Sequence, residues 1–398
     1  MGKKIFIQLK KILKFILSSI LVIFVLLNSI IIFSGRWYLY KAIATTYLKG
    51  KDGPSSTEYQ IFENRKIEAL NPQPWPISKD YNTGKLSKEL ETKFKEVEVH
   101  AFVVIKNDTL IHEQYWDHFS DTSHTNSFSM AKSYTGALLG FAIQDGFIKN
   151  VHEPASKYIS EFANDWRSKI TLEHLVTMSS GIDFDESYAN PFSYPAEGYY
   201  GTDLLKASTQ YTSMASEPGT VYKYLSGNTA LLGYCITKAT NKPLATYLSE
   251  KLWTPLNCEQ NAYWSLDTKD GLEKAFCCIN SNTKDFARMG KLYMHFGNWN
   301  GKQLLDSNYV RNSISPFNCN EENCKPNHTY GYAWWLNEYK GMSVFYMQGM
   351  LGQYVICVPG KKLIIARLGR KRRANKGTNH YPIDIAYCIE AALTMYYN

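Results

Sequence analysis

The sequence has no cysteine before Cys235, and neither a Cys-x-x-Cys pair nor a His-Glu-x-x-His string in its 398 residues. Structural and catalytic zinc sites draw their ligands from such closely spaced sets, so no metal or other cofactor is expected. The nearest approach, His112-Glu113 with His118, lacks the helical spacing a zinc site needs. Acidic residues are missing from positions 1–40, which carry Lys3, Lys4, Lys10, Lys11, Lys14 and Arg36. Of the net charge of +8, these six account for +6 and leave +2 for the remainder, so nucleic acid is not an expected partner. A second basic cluster, Arg367, Arg370, Lys371, Arg372, Arg373 and Lys376, follows a strand-like run and reads as a solvated loop. No internal repeat is visible.

Charge is also missing from Phe15 to Phe33, nineteen residues whose only polar members are Ser18, Ser19, Asn28 and Ser29. About 20 apolar residues span a bilayer, and lysines lie before the run. The expectation is a single-pass signal anchor with a cytoplasmic amino end and the rest of the chain on the extracytoplasmic, periplasmic side. Trp37, Tyr38 and Tyr40 would form its interfacial aromatic belt. A cleaved signal peptide is the competing reading; Ser34-Gly35-Arg36-Trp37 fits its small-x-small cleavage site badly. Export makes disulfides admissible for the eight cysteines. Cys319 with Cys324 suits a small looped bridge, and Cys258 can pair with Cys277 or Cys278. Cys235, Cys357 and Cys388 lie in apolar elements and read as free and buried.

Residues 37–94 are rich in Lys, Pro, Gly, Ser and Asn and read as a juxtamembrane linker, with a short amphipathic helix from Lys85 to Val97. Ala101–Ile105 and Thr109–Tyr115 flank Asn107-Asp108, a hairpin pattern. Helices are expected after Ser129, over Ile170–Met178, Asn228–Ala239, Leu244–Leu252 and Lys284–Phe296, with a loop-rich stretch at 182–221. Strands are expected at Ser343–Met347, Gln353–Val358 and Lys362–Leu368, with a turn at Pro359-Gly360 and a closing helix over Ile383–Tyr397. Strands at both ends and helices between them predict an α/β layer built from both termini, with a helical insertion.

Ser129-Met130-Ala131-Lys132 opens the apolar run Gly136–Ile143. Residues at i and i+3 share one helix face, so the Lys132 amine can lie beside the Ser129 hydroxyl. A serine hydroxyl is a weak nucleophile until a neighbouring base takes its proton, and this pair could supply one without a histidine. Four letters alone are weak: Ser281-Asn282-Thr283-Lys284 matches equally well. Context separates the two. Glu217-Pro218-Gly219 leads into Tyr222-Lys223-Tyr224-Leu225-Ser226-Gly227-Asn228, and Gly349-Met350-Leu351-Gly352-Gln353 follows near the end.

In this order, together with Leu175–Gly181 and Asp285–Arg288, these strings resemble the serine β-lactamase and penicillin-recognising superfamily. The likeness covers residues 95–398 and is greatest to the class C-type, β-lactamase-related hydrolases, which include esterases, D-amino-acid peptidases and 6-aminohexanoate-oligomer hydrolases. The resemblance implies a β-lactamase/transpeptidase-like α/β (α+β) fold, an antiparallel sheet flanked by helices plus a mostly helical inserted domain. Residues 1–36 would be the cytoplasmic tip and anchor, 37–94 the linker, 95–165 and 272–398 the sheet domain, and 166–271 the insertion. It further implies Ser129 as nucleophile, Lys132 as its base and Tyr224, with Tyr222 as rival, as the proton relay. On this reading Lys132 would favour the Tyr224 anion. The backbone N–H groups of Ser129 and Gln353 would form an oxyanion hole, and Ser226, Met350 and Gly352 would contact substrate, the glycine by close backbone approach. Ser226 stands where many members have Asn, and Met350 replaces the usual polar residue, which removes a donor for a substrate carboxylate. The implied activity is a membrane-anchored serine hydrolase that cleaves a small amide or ester, or a short peptide, through an acyl-enzyme. A β-lactamase or D,D-peptidase is one alternative, and a non-catalytic sensor or binding domain another.

Overall fold

The computed structural model describes residues 2–373 and 381–397. Helix α1 (Gly2–Phe33) is exposed along almost its whole apolar span, Ile5–Phe33. It stops where Gly35 turns left-handed (φ +68°), with the Arg36 N–H donating to Ile31 O and the Gly35 N–H to Ile32 O. These are the two closing bonds of a glycine-terminated helix. Three residues later α2 (Tyr38–Thr45) begins, and Tyr38, Leu39 and Ile31 are buried in the main core. Tyr38 therefore leaves the expected aromatic belt, while Trp37 and Tyr40 remain exposed.

Residues 37–94, expected as a linker, hold α2, strand β1 (Asn64–Ile67) and helix α3 (Lys88–Glu96), which Ser87 caps. Their prolines and glycines break regular elements into short pieces, yet Phe62, Ile67 and Trp75 pack in the core.

The main sheet begins with the expected hairpin, β2 (Val99–Lys106) and β3 (Thr109–Tyr115). Asn107 and Asp108 both take positive φ (49° and 61°), the turn whose twist matches paired strands. Strand β4 (Thr125–Asn126) precedes the Ser129 turn and helix α4 (Ala131–Gln144). Residues 166–271 hold helices Leu172–Val176, α5 (Tyr194–Tyr200), Leu204–Thr209, α6 (Ser226–Thr240) and Leu244–Leu248, then strand β5 (Ala262–Ser265). The Ile170–Met178 pattern yields only a five-residue helix, because Met178 turns to φ +62°. The run at Leu244 gives way to a wider π turn over Ser249–Trp253. Strand β6 (Ile279–Ser281) and helix α7 (Thr283–Met294) follow.

The chain returns through β7 (Trp335–Tyr339), β8 (Met342–Gly349), β9 (Gln353–Val358) and β10 (Leu363–Gly369) to α8 (Ile383–Tyr396). The six-stranded sheet runs β7-β8-β9-β10-β2-β3 and every pairing is antiparallel. Alternate residues face opposite sides. Val103, Ile105, Val355 and Ile364 join the core under α4 and α7, whereas Phe102, Val104, Ile356 and Ile365 pack against α3 and α8. A smaller sheet, β1-β5-β6-β4, had no sequence signature because its strands are two to four residues long.

Two expectations change here. Arg367 is not in a solvated loop: it lies in β10, fully buried, with its guanidinium 3.4 Å from Asp384 and donating to the carbonyls of Gly352 (2.5 Å), Val97 (2.7 Å) and Lys371 (2.8 Å). Buried charge needs this density of partners. Lys376 lies outside the described residues. The disulfide also differs. Neighbouring Cys277 and Cys278 are bonded to each other, and Cys258, Cys319 and Cys324 are free.

Candidate active site

Helix α4 explains the unusual position of Lys132. Every residue from Ala131 to Ala142 is buried, so the helix is enclosed on all sides and its lysine is withdrawn from bulk water. Immediately before it, Phe128 occupies the left-handed region (φ +44°), uncommon for a bulky residue, and its N–H donates to Asn126 Oδ1. Ser127 bonds to β6 through its own N–H and by accepting the Ile279 N–H. The turn is therefore pinned on both sides, and it presents Ser129, half-buried, beside Lys132.

Lys132 Nζ has three polar neighbours: Ser129 Oγ at 3.0 Å, Ser226 Oγ at 3.2 Å and the Phe276 carbonyl at 3.0 Å. Ser226 opens α6, and its hydroxyl and N–H both donate to Glu186, at 2.5 and 2.8 Å. With its proton committed to Glu186, Ser226 Oγ can only accept from Lys132. The Phe276 carbonyl can also only accept. A neutral amine has two N–H groups and one lone pair, so these neighbours take the N–H groups and leave the lone pair facing Ser129. Burial pushes the Lys132 amine down to about 8, while the nearby Glu186 carboxylate pulls the other way. A fraction of the amine is thus neutral near neutral pH.

Tyr224 lies over the same amine, with its ring centroid 5.0 Å from Lys132 Nζ. Trp335 and Tyr330 pack against its ring. Burial drives its phenol well above the ordinary value, and the Ser129 hydroxyl beside it opposes that shift. The expected tyrosine anion is not favoured here, because burial disfavours the charged form and the Glu186 carboxylate adds to that. Tyr222, the rival, is buried against Tyr330 and Met178, in the cluster that Tyr224 also packs against, but it is Tyr224 whose ring lies over the lysine amine.

The third string borders the turn. A Cβ on Gly349 would meet Ser127 O at 2.2 Å, so that strand end lies directly against the Ser129 turn. Leu351 and Gly352 both have positive φ and lead into Gln353 at the start of β9. The space that a Gly352 side chain would need is occupied by the Arg367 guanidinium, 1.4 Å from the position of such a Cβ. This glycine makes room for a buried arginine. Met350 and Ser226 line the cavity in front of Ser129, and Gly352 does not.

That cavity has a volume of about 250 Å³. Ser129, Ser226, Phe276, Cys277 and Met350 line it, together with Tyr188–Pro191, residues of α5 and residues between 42 and 54. Sequence reasoning missed Glu186, the Phe276 carbonyl and the 42–54 wall. Only one physical hint existed for Glu186: a buried lysine calls for a counter-charge, and Asp183, Asp185 and Glu186 lie in the loop between the motifs. The second Ser-x-x-Lys match behaves differently. Asn282 caps α7, and Lys284 pairs with Asp121 (3.1 Å) and Glu259 (3.6 Å), away from Ser281.

The profile of the beta-lactamase family matches residues 88–385, three quarters of the chain. The chain belongs to the beta-lactamase family. It is 23% identical over 236 residues to the 6-aminohexanoate-dimer hydrolase of Paenarthrobacter ureafaciens, an alignment that covers 57% of this chain and 60% of that relative's length. Among solved structures, a Bacillus anthracis protein provisionally named 6-aminohexanoate-dimer hydrolase superposes with a TM-score of 0.70 at 23% identity, covering 86% of this chain and 91% of that one. A family VIII carboxylesterase superposes with a TM-score of 0.62 at 17% identity, covering 81% and 99%. The fold of this beta-lactamase family member is thus the β-lactamase/transpeptidase-like one expected from its motifs.

Glu186→Gln tests the electrostatics of the lysine. Since Glu186 raises the Lys132 pKa, its neutralisation is expected to move the acid limb of kcat/KM downward from about 8, read from a pH–rate profile with a soluble ester.

Proposed function

We propose that this chain is a membrane-anchored serine hydrolase that cleaves a small amide or ester through an acyl-enzyme on Ser129. The observation that carries the reading is Lys132 Nζ 3.0 Å from Ser129 Oγ, with Ser226 Oγ and the Phe276 carbonyl placed to take the N–H groups of a neutral amine. Lys132 takes the Ser129 proton as Oγ bonds to the acyl carbon, and the oxyanion is held by the N–H groups of Ser129 and Gln353. Tyr224, a neutral phenol beside both groups, passes a proton to the departing amine or alcohol and accepts one in return from Lys132. Water then attacks the acyl-enzyme by the reverse route and restores Ser129. Ser226 positions the lysine as well as facing the substrate. Met350 offers no charge for a carboxylate, so a simple amide or ester fits better than a β-lactam or a peptide with a free carboxyl end. The named activities of the relatives, an amide-dimer hydrolase and a carboxylesterase, support the same choice.

Retention of α1 as an anchor is supported by its junction with the domain. Arg36 donates to the Phe192 carbonyl at 2.6 Å, Tyr38 donates to the Pro191 carbonyl at 3.0 Å, and Ile31 and Leu39 are buried. The lysines before the span support a cytoplasmic amino end with the domain outside it.

A fluorophosphonate is expected to form a one-to-one adduct that peptide mass mapping places on Ser129. No adduct, or an adduct on another residue, sinks the proposal. A non-catalytic binding domain would give the first of these outcomes.

A further inference from the structure

The same cavity has a second relation, to the membrane anchor. One of its sides is built from the segment that leaves α1: Ala42, Thr46, Tyr47 and Pro54 line it. Another part of its wall, within Tyr188 to Ala196, belongs to the segment that Arg36 and Tyr38 hold by hydrogen bonds to the Phe192 and Pro191 carbonyls. The Arg36 guanidinium also lies 5.1 Å from the Phe192 ring centroid. Both parts of the wall are thus fixed to the end of the apolar helix. Ala42 is only four residues into α2, which at about 1.5 Å per residue lies about 6 Å from the start of that helix. The headgroup layer outside the hydrocarbon core is itself about 5–7 Å thick on each side. On the anchor reading, with Phe33 at the edge of the hydrocarbon core, the α2 part of the cavity wall would lie at or just above headgroup level.

The surface around the mouth has the composition of a bilayer contact. Trp37, Tyr47, Leu48, Tyr188 and Phe192 are all exposed, Leu48 to 78% and Tyr47 to 66%. Aromatic side chains with a polar tip favour the membrane interface. Exposed apolar side chains clustered at one site, rather than scattered, mark a contact surface. Inside, tyrosine, proline, alanine, phenylalanine and methionine dominate, Asp52 is the one charged lining residue, and no lysine or arginine lines the cavity among the described residues.

We propose that the substrate is an amphiphilic ester or amide drawn from the membrane surface, whose hydrocarbon tail occupies the cavity between α2, the 188–196 loop and α5 while its acyl carbon meets Ser129. This rests on the hydrolase and anchor readings above. Burial of each methylene is worth about fourfold in binding. Lengthening a nitrophenyl butyrate to the octanoate, or a butyl ester to the octyl ester on the alcohol side, is expected to raise kcat/KM at least about tenfold in one of the two series. Ala42→Trp, which fills the cavity from the α2 side, is expected to remove that gain. In vesicles of phosphatidylcholine and phosphatidylglycerol, a bimane label on Leu48→Cys of the full chain, in a Cys324→Ser background, is expected to be quenched by lipids spin-labelled near the headgroup.

The outcomes separate cleanly. If butyrate is not turned over and no acyl probe reacts, the hydrolase reading falls and takes this inference with it. If butyrate is turned over but neither series gains with length, the inference falls and the hydrolase stands. A length gain without lipid quenching overturns delivery from the membrane.

Discussion

Ser129→Ala is expected to lower kcat/KM for a soluble ester by about 10⁴- to 10⁶-fold, the scale seen when a serine hydrolase loses its nucleophile. The size follows from the geometry. Among the described residues, Ser129 is the serine hydrogen-bonded to Lys132 whose hydroxyl is not already committed: Ser226, at a similar distance, gives its proton to Glu186. No second serine can take over. The substitution removes one of three neighbours of Lys132 and leaves Ser226 and the Phe276 carbonyl, so the fold should persist. A thermal melt by circular dichroism provides that control. A residual rate within tenfold of wild type would mean that the covalent step is elsewhere or absent.

Replacement of Lys132 is expected to cost about 10²- to 10⁴-fold, the usual worth of a positioned general base. The sign with pH follows from its state. The active form is the neutral amine, and burial holds its pKa at about 8, so kcat/KM should rise with pH through that value and level off above it. Lys132→Arg keeps the charge and part of the hydrogen bonding, but a guanidinium stays protonated in proteins. It should be as inactive as Lys132→Ala and show no limb near 8. An arginine variant with near wild-type activity and the same pH profile would remove Lys132 from the base role and favour Tyr224.

Local chemistry carried most of what could be read before the fold was known. Asn107-Asp108 announced its hairpin because two side chains that tolerate positive φ stand between two apolar runs. The Ser129–Lys132 pair was legible because three residues of helical turn place both groups on one side. Tyr224 was legible from its place in an ordered set of motifs, and Met350 from its departure from that set. Arg367 was misread because a strand-end arginine followed by further basic residues has the composition of a solvated loop. Its burial depends on Asp384 and on the Gly352, Val97 and Lys371 carbonyls, which no local pattern brings together. The tyrosine anion was misjudged for a related reason, since desolvation is a property of the assembled site.

By itself, then, the sequence determined the apolar amino-terminal helix, the strands of the sheet's end, and the identity of the nucleophile, lysine and tyrosine as candidates. These rest on periodicity, turn chemistry and short spacings, which act within a few residues. The tertiary structure alone decided that Glu186, 40 residues from Ser226, and Phe276, 144 residues from Lys132, orient the lysine through Ser226 and a carbonyl. It alone placed the segment after the apolar helix against residues 188–196, as a wall of the cavity. Contacts of that range come from packing of the whole core, and neither partner's local sequence contains the other.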